Sequence, residues 1–310
     1  MKLQYRRMRI SPILEVMPSR PRRLLLLPLF ALLPMLALVT GAKCYPPDTR
    51  VVVFIQGLYT SYDADGTTSV GIEPHTFDTL KQAFIAKGYP APRLLDYSYA
   101  GGSIADDGRW VPQEYSCEIT DRASDESLAV LEKMLSDYKQ RHPKVHFTLV
   151  GHSLGGYLAF LEGAREAGRG DADKLAIDGV VTFDAPLKGV SADKKAIIDF
   201  ASPCAKTYIA GVDLVAARND PTTAQTRAAQ AAAMAHTGVR LATLGNNDDC
   251  LYNLPLCIGG GSDDTDSQTL PGEAALSMSY DAPTNPLLSH FIILVHPPAV
   301  ADAVAFVGAP

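Results

Sequence analysis

The stretch Val145-His146-Phe147-Thr148-Leu149-Val150-Gly151-His152-Ser153-Leu154-Gly155-Gly156-Tyr157 decides how this chain is read. Val145–Val150 is a short, largely apolar run and reads as a buried strand. A helix is expected from Tyr157 to about Ala167. Between them, Gly151-His152-Ser153-Leu154-Gly155 fits G-x-S-x-G at a strand-to-helix turn. A turn this sharp strains the serine backbone and needs glycine two residues to either side, where a Cβ would clash. It raises the Ser153 hydroxyl at the carboxyl end of the sheet, beside a helix N-terminus that favours developing negative charge. The plain alternative is a glycine-rich turn with a surface serine.

Working outward, Arg50–Ile55, Leu94–Tyr99, Ile177–Phe183 and Val239–Leu244 read as further strands, and Ala274–Tyr280 as the last one. Helices are expected over Phe77–Lys87, Asp125–Gln140, residues 222–236 and Ala299–Val307. Ala100–Gly108 reads as a loop, and residues 188–238 as a mixed region suited to a lid or cap. Apolar strands alternating with helices predict an α/β fold, a mostly parallel sheet covered on both faces. With no boundary after residue 44, residues 44–310 read as one catalytic domain.

Serine is a poor nucleophile without a base and a group that fixes the base's tautomer. After an elbow of this kind the partners follow in the order Ser, Asp or Glu, His. Gly245-Asn246-Asn247-Asp248-Asp249-Cys250-Leu251-Tyr252 follows a strand, and Asp249 is the preferred acid with Asp248 beside it. Asp184, in Thr182-Phe183-Asp184-Ala185-Pro186, is the alternative acid after the preceding strand. His290 is the preferred base and His296 its competitor. His75, His142, His146 and His236 precede the acid, and His152 within the elbow reads as structural. The oxyanion donors are expected to be the backbone N–H groups of Leu154 and of Leu58, in Gln56-Gly57-Leu58.

Charge and cysteines bound the setting. Residues 1–43 hold eight Lys or Arg and one Glu; removing these from 28 bases and 34 acids leaves 20 and 33, a net of −13. A body this acidic argues against nucleic acid as a partner. Arg20, Arg22 and Arg23 precede the uncharged Leu24–Val39, and Thr40-Gly41-Ala42 follow. This is the pattern of a secretory signal, with cleavage near Ala42 preferred over retention as a signal anchor. Either way the body is expected to be exported, secreted or held at the cell envelope, with lipid-surface association open. Of five cysteines, Cys250 and Cys257 are expected to form a local disulfide, and Cys117 with Cys204 is a second pairing. No CxxC and no His or Cys spacing suggests zinc. Asp63–Gly66 and Asp263–Asp266 are only fragments of calcium loops, so no metal is expected.

On the Gly151–Gly156 elbow, Val180–Gly189, Gly245–Tyr252 and Ser289-His290, the body resembles the α/β-hydrolase superfamily, in its bacterial lipase and esterase branch. Val180–Gly189 looks like the T-x-G-T-P-x-x-G turn of lipases and of lipase-like GPI-inositol deacylases. The His-Gly common in such enzymes is Gln56-Gly57 here. The resemblance implies a Ser153–His290–Asp249 triad, an acyl-enzyme, no cofactor, and a small-molecule ester or lipid substrate. Amide or thioester hydrolysis by the same machinery, and an inactive binding protein on the same fold, are the other readings.

Overall fold

The computed structural model describes residues 49–63, 68–70, 73–74, 77–193, 195–196, 204, 209–247, 270, 275–281 and 289–310. All of them belong to one compact unit, Lys43–Pro310. Six strands form the central sheet: β1 (Arg50–Ile55), β2 (Leu94–Asp96), β3 (His146–His152), β4 (Ile177–Phe183), β5 (Arg240–Asn246) and β6 (Leu276–Tyr280). Their order is β6-β5-β4-β3-β1-β2, and every neighbouring pair is parallel. The register sets Val53 beside Leu149, Val150 beside Val181 and Thr182 beside Thr243.

The helices are α1 (Asp78–Ala86), α2 (Ser124–Arg141), α3 (Leu154–Gly168), α4 (Ala210–Asn219), α5 (Thr223–Thr237), the short α6 (Ser289–Ile292) and α7 (Pro297–Val307). Side chains alternate across a strand, so β1 feeds two cores. Val51, Val53 and Ile55 pack with Leu131 and Leu135 of α2, Leu158 of α3, Leu214 of α4 and Met234 of α5. Val52 and Phe54 pack on the other face with Leu80 and Phe84 of α1 and Val300 and Val304 of α7. Parallel strands buried on both faces are the reason these segments are continuous apolar runs.

Four features depart from expectation. Strand β2 stops at Asp96, whose carbonyl accepts Trp110 Nε1–H at 2.9 Å. The expected loop after it contains a two-stranded hairpin, Gly102–Ile104 with Trp110–Pro112. Helix α3 starts at Leu154 rather than at the expected Tyr157: its first turn holds Gly155 and Gly156, poor helix formers that close packing nevertheless demands. A Cβ on Gly155 would lie 2.1 Å from the Ile55 carbonyl oxygen, and one on Gly156 2.8 Å from Ala185 Cβ. Helix α4 lies in the region read as mixed.

Residues 209–237 are built into the body. Ala210, Leu214, Ala231 and Met234 are buried, and Arg227 Nε donates to the Leu187 carbonyl at 3.0 Å. A disulfide joins Cys117 to Cys204, with Cα atoms 5.7 Å apart, and Asp121 accepts the Ile209 N–H. No helix among the described residues is long and apolar enough to cross a membrane.

Candidate active site

The carboxyl ends of β1, β3, β4 and β5 lie side by side, and they bring Gln56-Gly57-Leu58, Ser153, Asp184 and Asn246 to one rim of the sheet. Ser153 stands between β3 and α3 with φ 56° and ψ −126°, a conformation L-residues rarely adopt. Its N–H donates to the Phe183 carbonyl at 2.9 Å, and its carbonyl accepts the Tyr157 N–H at 3.1 Å. The surroundings over-determine the strain, which is characteristic of functional turns. A Cβ on Gly151 would lie 2.2 Å from the Gly155 carbonyl oxygen. Leu154 opens α3, so its N–H is one of the helix's unshared first-turn donors.

The loop after β1 runs against Ser153. A Cβ on Gly57 would lie 2.9 Å from Ser153 Cβ and 3.2 Å from the His152 carbonyl oxygen. The Tyr99 hydroxyl donates to the Gln56 carbonyl at 2.8 Å, and Thr60 Oγ1 donates to the Gly57 carbonyl at 2.9 Å. Tyr59 has φ 62°, and its N–H donates to Thr120 Oγ1. The loop carrying Leu58 is thus fixed through its carbonyls, and Leu58 itself is buried.

Asp184 is fully buried in the left-handed region, φ 43°. Its N–H donates to the Leu244 carbonyl at 2.9 Å, and its Oδ1 accepts the Asn246 N–H at 2.6 Å. His290, on α6, is 1% exposed. One donor atom from each of His152, Asp184 and His290 lies within 4.8 Å of the others, and this is the one such His/Cys/Asp/Glu group among the described residues. A metal ion at this rim would draw on those three. The same convergence suits proton transfer along a carboxylate–imidazole pair.

His152 immediately precedes Ser153 in the chain and lies against His290. Its Nε2 is 2.7 Å from the His290 carbonyl oxygen, and the two rings are 4.7 Å apart. Burial first, then the charge of neighbouring His290, hold its pKa well below the usual histidine range. Sequence reading gave it only a structural role, since a 138-residue separation leaves no local signal. Asp248, Asp249, Cys250, Cys257, His75, residues 64–66 and residues 263–266 lie outside the described residues. His296 immediately precedes α7, with its ring 5.7 Å from that of Tyr280.

Residues 113–215 match the family model of Lipase (class 3). Among solved structures, lipase BlEst2 of Bacillus licheniformis in its mature form is 14% identical, with 86% of this chain and 95% of that one covered and a TM-score of 0.51. The chain has the α/β-hydrolase fold. Two further solved structures align less closely. Phospholipase PlaB of Legionella pneumophila is 11% identical at a TM-score of 0.42, covering 64% of this chain and 40% of PlaB's length. A lipase-esterase related protein of Clostridium acetobutylicum is 9% identical at 0.45, covering 84% and 96%. No curated protein sequence matches this chain. Ser153 and Asp184 lie at the carboxyl end of the sheet, the end at which open α/β sheets generally take up ligands.

Proposed function

We propose that the chain is a serine carboxylic-ester hydrolase of the lipase and esterase type. The observation that carries this reading is the strained Ser153, φ 56°, between a buried strand and helix α3, beside a rim where the donor atoms of Asp184 and His290 converge. Ser153 Oγ attacks the ester carbonyl while His290 takes its proton. The tetrahedral oxyanion accepts the N–H groups of Leu154 and Leu58. Collapse expels the alcohol, which leaves with the proton from His290. Water, deprotonated by His290, then attacks the acyl-enzyme, releases the acid and restores Ser153.

The orienting acid is Asp184 in this proposal. The proximity of its buried carboxylate to His290 supports it, and the order Ser153, Asp184, His290 keeps the chain order of such triads. Asp249, favoured by its place after β5, is the rival that mutation distinguishes. The substrates are small-molecule esters or lipids, and no cofactor takes part. Export fits the Cys117–Cys204 disulfide, since such bonds persist in oxidising compartments. The N-terminal 43 residues are proposed to direct that export.

The test is hydrolysis of p-nitrophenyl esters, from acetate to palmitate, by the full chain and by Ser153→Ala and His290→Ala. Loss of several orders of magnitude in both variants, with fluorophosphonate labelling confined to chains retaining Ser153, upholds the reading. A folded wild-type chain that neither turns over any ester nor takes the label overturns it in favour of an inactive binding protein.

A further inference from the structure

The histidine inside the elbow makes a contact that the triad does not require. The His290 backbone oxygen lies 2.7 Å from His152 Nε2, and a carbonyl can only accept. His152 therefore carries its proton on Nε2 and donates it, and Nδ1 is the unprotonated nitrogen. His152 is 1% exposed, and its Nδ1 makes no hydrogen bond among the described residues. Its ring packs 4.7 Å from that of His290 and 5.3 Å from that of Phe291. The contact joins the residue before the nucleophile to the backbone of the base itself.

That link bridges two elements of different origin. His152 is the last residue of β3, flanked by the rigid pairings of β1 and β4. His290 lies on a helix of four residues, which has little stability of its own. Downstream, Ile293 and Leu294 are buried and anchor the segment to the core. A donor on β3 adds a second anchor at the base.

We propose that His152 is a positioning residue, one that fixes the His290 main chain relative to Ser153 by a neutral hydrogen bond. This rests on the Ser153–His290 reading above. Neutrality matters: a Lys or Arg there would supply a donor but set a cation beside His290 and weaken it as a base. The requirement is a neutral, rigid donor of the right length, which imidazole supplies.

The test uses the full chain with His152→Gln, which keeps a neutral N–H donor, His152→Phe, which keeps a ring without one, and His152→Asn, whose donor is shorter. Rates are referred to the folded fraction of each sample. The expected result is a fall in kcat for p-nitrophenyl butyrate of about 100-fold in His152→Phe, with KM within about twofold and fluorophosphonate labelling slowed in parallel. His152→Gln should recover kcat to within about fivefold of wild type, with His152→Asn between the two. Should His152→Phe not fold, the Gln and Asn variants carry the comparison alone. Gln and Phe variants equally impaired, or both at wild-type rate, overturn the proposal, as does equality of Gln and Asn. The triad reading fails separately, when wild type itself takes no label.

Discussion

Asp184 Oδ1 accepts the backbone N–H of Asn246 at 2.6 Å, so one buried carboxylate spans the carboxyl ends of β4 and β5. The Asp184 N–H also donates to the Leu244 carbonyl, which holds the residue by main chain and side chain together. A carboxylate fixed in this way can orient an imidazole without moving itself. If it does, Asp184→Asn lowers kcat for p-nitrophenyl butyrate by about 10³- to 10⁴-fold, as expected when the tautomer of the base is lost. Asp249→Asn changes it by less than about tenfold. The opposite ranking in steady-state kinetics returns the role to Asp249.

Gly155 in the elbow and Gly57 in the loop after β1 separate stability from activity. Gly155→Ala sets a Cβ 2.1 Å from the Ile55 carbonyl oxygen, a clash with backbone that no rotamer relieves. A cost of about 3 kcal/mol in urea unfolding is expected. Gly57→Ala meets Ser153 Cβ at a milder 2.9 Å and displaces the loop carrying Leu58. It should leave the fold intact and cut kcat about 10- to 100-fold. Equal unfolding midpoints for Gly155→Ala and wild type would refute the packing account.

His152 also sets a pH dependence of stability. Its folded pKa is held well below 6.5 by burial, so the unfolded chain binds a proton that the native chain refuses. This contribution is present above the unfolded pKa and is lost as pH falls below about 6.5, at about 1.4 kcal/mol per pH unit. Urea midpoints between pH 7 and pH 5 should fall less steeply in His152→Phe than in wild type. Parallel curves would show that His152 titrates normally in the folded chain.

The Cys117–Cys204 disulfide closes a separation of 87 residues and ties the turn before α2 to the segment before α4. Thr120, at the end of that turn, accepts the Tyr59 N–H beside the Gly57 loop. The double variant Cys117→Ser/Cys204→Ser is expected to lose about 4 kcal/mol of stability, chiefly through a freer unfolded chain. Chemical denaturation with and without reductant measures this, and a wild-type chain indifferent to reductant would contradict it.

The layered α/β plan was legible in local patterning. The run Val51–Ile55 is apolar on both faces, and only a sheet covered twice can bury it. The elbow was equally readable, because steric need for glycine at 151 and 155 is local. Helix α3 was placed too late at its start for a related reason: the glycines that packing requires lower local helix propensity.

Which groups surround His290 is settled only by the folded chain. Asp184 and His290 are far apart in the chain, and their convergence depends on the sheet order that sets β4 between β3 and β5. The bond from His152 to the His290 carbonyl and the seating of Arg227 against Leu187 likewise join distant segments. Pattern and propensity act over a few residues, whereas such contacts exist only once burial has brought separate elements together.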